Sequence, residues 1–441
     1  MSRSWLLGAM LLATGAAAQP VISGPVAAPD IAGAPTHDYP FFASDHPLAL
    51  YGYREEEFYL AGDAATPEGP ALPFKTRLVV RRPVDAGRFN GVVLVEWLNV
   101  SNGFDAENIW FFDWQHLLRD GYVWVGVSAQ PRGVEALKQW NPRRYGDLAV
   151  AGPGGIADNS LAFGIFSAAG QALRRPGRVN PLAGLQPKLF LATGQSQSAV
   201  RLTDYLNREL APAGLWDGYL LKPSLLLKVT PPVPVFAVVA EQETLARVRQ
   251  PDHRTYREWQ VAGTAHVDQH LRASREPLEL RDLGTSSEAS MALGCTVPTI
   301  GTRVPGHYVL AAALDHLARW ATGGAPPPAA PPIEYRTGEN GREIVRDGNG
   351  LARGGIRLAE VAAPTGLNVG TNGGSGNCAL WGYYRPFDTG KLRTLYADQT
   401  AYRQAVAKAT GENVRDGFLL PADAKGTLAK QPPVLGTEGS N

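Results

Sequence analysis

The sequence predicts an α/β protein: a mostly parallel, doubly wound sheet with helices on both faces and a C-terminal extension packed on it. Three observations point there. Seven short, mostly apolar runs between residues 76 and 262 have the pattern of strands buried on both faces of a parallel sheet. Helical stretches lie between them, giving the strand–helix–strand order of a doubly wound domain. After residue 270 this alternation stops.

Taken in order, residues 1–20 (MSRSWLLGAMLLATGAAAQP) open with Arg3, continue through an apolar run at 5–13 and reach the small residues Ala16-Ala17-Ala18. That is the pattern of a secretory signal over 1–18, cleaved before Gln19. The apolar run is too short to span a bilayer. The mature chain is therefore expected to be periplasmic or secreted. Residues 19–75, rich in Pro and aromatics, read as a leading β or loop segment.

The core is expected over 76–270. Its strands are placed at 76–81 (TRLVVR), 91–97 (GVVLVEW), 122–128 (YVWVGVS), 187–193 (PKLFLAT), 219–221, 233–240 (VPVFAVVA) and 256–262, with helices at 159–174 and 199–210. The C-terminal extension, 271–441, holds a helix at 308–320, a stiff Pro-rich spacer at 325–332 and a single further helix at 391–410.

Charge and cysteine content narrow the function. Lys plus Arg number 42 and Asp plus Glu 41, so no basic excess points to nucleic acid or an anionic membrane. Two cysteines exclude a four-cysteine zinc site and a disulfide-built miniature fold. In an oxidising compartment Cys295 and Cys378 are expected to be bridged, stabilising by about 4 to 5 kcal/mol on the chain-entropy estimate. No Gly-rich phosphate loop follows a strand, so no nucleotide cofactor is implied.

The chemistry centres on Gly194-Gln195-Ser196-Gln197-Ser198, where an apolar strand passes straight into a helix. Such a turn needs small residues around the Ser, and Gly194, Ser198 and Ala199 supply them. It lifts the Ser196 hydroxyl above the sheet and points the Gln197 N–H at the same place. A Ser needs a base, and in this order of elements acid and then His follow it. His266 follows the last strand on a small-residue loop; His253 and His316 are worse placed. The acid belongs just past the 233–240 strand, where Glu243 is the first choice, Glu241 the second and Asp252 a third. A second oxyanion donor is expected from the loop after 91–97, at Asn99. The aromatics that follow (Phe104, Trp110, Phe111, Phe112, Trp114) either line a cleft or pack the loop down. His266 and His270, four apart with Asp268 between, also admit a zinc reading, which lacks a protease Glu and a third ligand cluster.

These features resemble the α/β-hydrolase superfamily and, within it, exported bacterial proteins called alpha/beta hydrolase domain-containing proteins. The matching stretches are 95–101 (VEWLNVS), 124–130 (WVGVSAQ), the 194–199 elbow, 261–266, and the C-terminal 354–357 (GGIR) and 386–388 (PFD). The similarity spans most of the mature chain. It implies Ser196 as nucleophile, His266 as base and an Asp where Glu243 stands. The expected activity is hydrolysis of a carboxylic ester, small or oligomeric, through an acyl-enzyme, without cofactor or metal. An acyltransferase with the same triad and a non-catalytic binding protein on the same scaffold are the alternatives. Only about a dozen residues separate the fifth and sixth strands, too few for a helical lid. The loop 98–115 and the C-terminal extension are expected to shape the entrance instead.

Overall fold

The computed structural model describes residues 19–434, apart from 68, 224, 287–293, 299–300, 340 and 433. The expected signal at 1–18 lies outside the described residues.

One nine-stranded sheet organises the chain. β1 (Val21–Ser23), β2 (Tyr53–Ala64) and β3 (Leu72–Pro83) form an antiparallel flank, β2 pairing with β3 along its whole length. The segment expected to lead into the domain at 19–75 thus supplies two strands of the same sheet, which begins at residue 21 rather than 76. β3 pairs antiparallel with β5 (Val123–Val127). Beyond it β4 (Val92–Trp97), β6 (Leu189–Gln195), β7 (Gly218–Lys222), β8 (Val235–Ala240) and β9 (Tyr256–Val261) follow in spatial order, all parallel. β4 to β8 are buried at every position, which is why their sequences run apolar without alternation.

Alternation along β4 sets the two helical layers. The buried Glu96 faces α1 (Asn108–Arg119), accepting hydrogen bonds from the Ile109 and Trp110 N–H groups and from Trp124 Nε1. Its neighbour Trp97 faces the other way, onto Phe163 and Phe166 of α4 (Ala162–Arg174). Between these, α2 (Pro131–Trp140) and α3 (Pro142–Tyr145) fill the β5–β6 connection. α5 (Gln197–Asn207) joins α4 through Tyr205, which meets Phe163 and Phe166. α6 (Gln269–Leu283) and α7 (Gly306–Ala321) pack beside α1. The buried imidazole of His116 on α1 bridges Asp113 and Asp315, tying α1 to α7.

The aromatics of the 104–114 stretch belong to this core. Trp110, Phe111 and Phe112 are essentially inaccessible, so they pack α1 down and do not line a cleft.

The C-terminal extension is stitched to the core at several places. It carries the hairpins β10 (Tyr335–Gly338) with β11 (Gly341–Ile344) and β12 (Gly366–Val369) with β13 (Tyr383–Pro386), and the short α8 (Ala359–Ala362). Its last helices are α9 (Thr389–Leu395), α10 (Gln399–Arg415) and α11 (Pro421–Ala429). The single helix expected at 391–410 is therefore two. Tyr396 takes an extended conformation and Asp398 caps α10 by accepting from the Ala401 N–H. At the edge of the main sheet, Ile356 forms a parallel bridge to Val261, its N–H donating to Gln260 O at 2.7 Å. Cys295 and Cys378 are joined in a disulfide, Cα to Cα 5.3 Å. No helix among the described residues is long and apolar enough to cross a membrane.

Candidate active site

β6 ends at Gln195 and α5 begins at Gln197, leaving Ser196 alone in the turn with φ 60° and ψ −122°. A non-Gly residue held there costs on the order of 1–3 kcal/mol, so the surroundings must impose it. They do so by hydrogen bonds on both sides. The Ser196 N–H donates to Lys222 O at 2.8 Å, the Ser196 carbonyl accepts from the Val200 N–H at 3.0 Å, and Asn99 Nδ2 donates to Gln195 O at 2.8 Å. Gly194 is required by space: a Cβ there would lie 2.9 Å from Ser198 Cβ and 3.0 Å from Ser198 C.

His266 sits on the loop after β9. Its Nδ1 lies 2.6 Å from Glu243 Oε1. Glu243 stands in the short 3-10 turn Gln242–Ala246 just past β8, and its other oxygen accepts from the Ala240 N–H at 2.7 Å. Burial pushes this carboxyl up, but the Lys222 ammonium, His266 and the Ala240 N–H outweigh it and hold the group below its usual range. Glu243 is therefore an anion at neutral pH, and His266 Nδ1 carries the proton between them. In that tautomer the lone pair of the ring is on Nε2. It faces the Gln195 amide, Nε2 to Nε2 3.1 Å, and Gln195 Oε1 in turn accepts from Asn108 Nδ2 at 2.8 Å. No hydrogen bond joins Ser196 Oγ to His266 among the described residues.

The structure separates the other acid candidates from His266. Glu241 is fully buried and accepts from the Gly263 N–H at 2.6 Å, from Arg346 at 2.9 Å and from the Gly370 N–H at 3.3 Å. It anchors the extension. Asp252 pairs with Arg257 and Arg249. His316 bonds Gly417 O, and His253 accepts from the Thr255 N–H. The two histidines weighed as zinc ligands are divided between different neighbours. His266 goes to Glu243, His270 stacks on His307, and Asp268 caps α6 by accepting from the Leu271 N–H.

The expected oxyanion donors fare differently. Gln197 is the first residue of α5, and its N–H has no protein acceptor among the described residues. Its side chain pairs with Gln130, whose amide also donates to Leu98 O. The Asn99 N–H, by contrast, donates to Ala106 O at 2.9 Å in a small bridge that folds the loop back on itself. It is not available to an oxyanion. The next N–H, that of Val100, makes no hydrogen bond among the described residues and takes over as candidate. The Asn99 side chain contributes differently, by holding the elbow.

Sequence reasoning also missed Gln195, Asn108 and Lys222. Lys222 closes an otherwise apolar strand and is buried, its ammonium 4.5 Å from the centre of the Phe112 ring. A charged residue at the end of such a strand was the signal available. The extension reaches the site where the Val267 N–H, next to His266, donates to Leu380 O at 2.9 Å.

A family model described as an alpha/beta hydrolase domain matches residues 22–429. The chain belongs to the α/β-hydrolase family. Among solved structures it is similar to a lid-less α/β serine hydrolase from Xanthomonas campestris, at 14% identity over 52% of this chain and 94% of that one, TM-score 0.29. It is also similar to a cold-adapted esterase from an Arctic intertidal metagenomic library, at 14% identity over 52% and 91%, TM-score 0.26. A third likeness is to oligopeptidase B from Leishmania major, at 17% identity over 38% and 20%, TM-score 0.22. The chain spans only about a fifth of the length of the peptidases it matches. No curated protein matches it.

Proposed function

We propose that this α/β-hydrolase family member is a serine hydrolase of carboxylic esters. The observation that carries the reading is the 2.6 Å contact between His266 Nδ1 and Glu243 Oε1 beside a Ser held in the strained strand-to-helix turn. In the first half-reaction Ser196 Oγ attacks the acyl carbon while His266 Nε2 takes the hydroxyl proton. The Gln197 and Val100 N–H groups receive the negative charge that develops on the carbonyl oxygen. The C–O bond to the alcohol breaks, and His266 returns the proton to the leaving oxygen. Water then attacks the acyl-enzyme by the same route and releases the acid. Glu243 stabilises the imidazolium throughout without taking its proton. The Cys295–Cys378 disulfide supports an oxidising, exported location.

The test is labelling with a fluorophosphonate probe and mapping of the modified residue. Labelling at Ser196, absent in Ser196→Ala, is expected, followed by turnover of p-nitrophenyl esters and not of a proline-containing peptide anilide. Folded protein that takes no label would overturn the serine mechanism.

A further inference from the structure

A cavity of about 540 Å3 lies between α6, the start of α7 and the C-terminal helices. Ser196, His266 and Glu243 do not line it. Its size falls in the range of small-molecule sites. On its wall the rings of His270 and His307 stack at 3.8 Å, 11° from parallel. His270 Nε2, His307 Nδ1 and Glu360 Oε2 are buried there with no hydrogen-bond partner. Orphaned polar atoms in one cavity are costly unless something fills it.

Two exposed cations share the cavity, Arg303 and Lys430. Neither forms a close salt bridge among the described residues, although the Lys430 ammonium acts through space on the Glu360 carboxyl. Arg303 instead lies 4.0 Å above the Tyr384 ring, which also lines the space. The other acid on the wall, Asp268, is committed to capping α6. Stacked, parallel imidazoles do not converge their nitrogens on one point. No group of three metal-ligating side chains occurs among the described residues.

We propose that this cavity binds a small organic carboxylate, its charge met by Arg303 and Lys430 and its polar body by His270 and His307. A monoanion matches the site better than a phosphate dianion, because Glu360 faces it. The aromatic wall suits a ring or a short apolar body. The inference is independent of the ester reading.

The charged groups facing the ligand set its pH dependence. Burial lowers the pKa of both His270 and His307, which stay neutral near pH 7. Burial pushes Glu360 up to about 7. Burial also raises the pKa of Asp268. Lowering the pH from 8 to 6 thus neutralises Glu360 and strengthens binding of an anion.

The probe is benzoate, titrated calorimetrically into the full Ser196→Ala protein, with inorganic phosphate as control. One saturable site per chain is expected, tighter at pH 6 than at pH 8. Arg303→Gln with Lys430→Gln should weaken it about tenfold or more, and Glu360→Gln should flatten the pH dependence. Both cations are exposed, so that double variant should keep the parent melting temperature. Absence of saturable benzoate binding, binding indifferent to the double variant, or binding of phosphate in place of benzoate would overturn the proposal.

Discussion

The Gln195 amide and His266 Nε2 are in contact at 3.1 Å, at the nitrogen a general base must use. With the proton of the ring on Nδ1 toward Glu243, the Gln195 amide donates to the lone pair that the Ser196 hydroxyl needs. In the proposed mechanism the Ser196 hydroxyl has to displace that contact to reach Nε2. Gln195→Leu should speed fluorophosphonate labelling of Ser196. It should also destabilise the protein by about 1–3 kcal/mol, because Asn108 loses its acceptor. Labelling rates and urea melts check this; slower labelling at unchanged stability would show that Gln195 helps the base.

The two acids after β8 should separate cleanly. Glu243→Gln should lower kcat/KM by about 10³- to 10⁴-fold with the fold intact, the scale seen when a triad acid loses its charge. Glu241→Gln should act on stability, by about 3 kcal/mol, since it removes the charge that Arg346 pairs with and turns one of the two accepting oxygens into a donor. Kinetics beside thermal unfolding of both variants decides the assignment.

Lys222 should influence the acid limb of the pH–rate profile through the triad acid. It opposes the burial of Glu243 and holds that carboxyl down. A carboxylate with a depressed pKa does its work above that pKa and loses it as pH falls. Lys222→Met should therefore move the acid limb upward in pH. A limb that stays in place in a folded variant contradicts the role.

Stability should fall in alkali through His116. Burial alone would lower its pKa, but Asp113 and Asp315 outweigh burial and raise it to about 10. The sign follows from a raised pKa: the contribution is whole below about 6.5, the unfolded value, and is lost as pH climbs toward 10. His116→Gln should be less stable at pH 6 and should lose less stability between pH 7 and 10. Denaturant titrations across that window test both statements.

Much of this was legible in the sequence, for one physical reason. Strands buried on both faces must be apolar throughout, so β4, β5, β6 and β8 announce themselves within a few residues of their observed ends. The elbow was legible because close packing forces small residues around Ser196. What stayed hidden depends on partners distant in the chain. α6 has Pro277 inside it and buries Arg275 and Glu279, so it shows no apolar face. The Asn99 N–H was a reasonable donor until its bridge to Ala106 was seen. Neither Gln195 nor the stacked His270 and His307 carries a local pattern, since each acquires its role from a side chain on another element.

The bridge between Ile356 and Val261 bears on association as well as on architecture. β9 is the last strand of the sheet, and an open edge invites pairing with another chain. Ile356 takes up the Gln260 carbonyl and the Ala262 N–H, and the Ile333 N–H occupies the Gln260 side chain. The C-terminal arm thereby acts as a guard on the sheet's exposed margin. Cutting the chain back to its strands and helices would hand that margin to a neighbouring molecule.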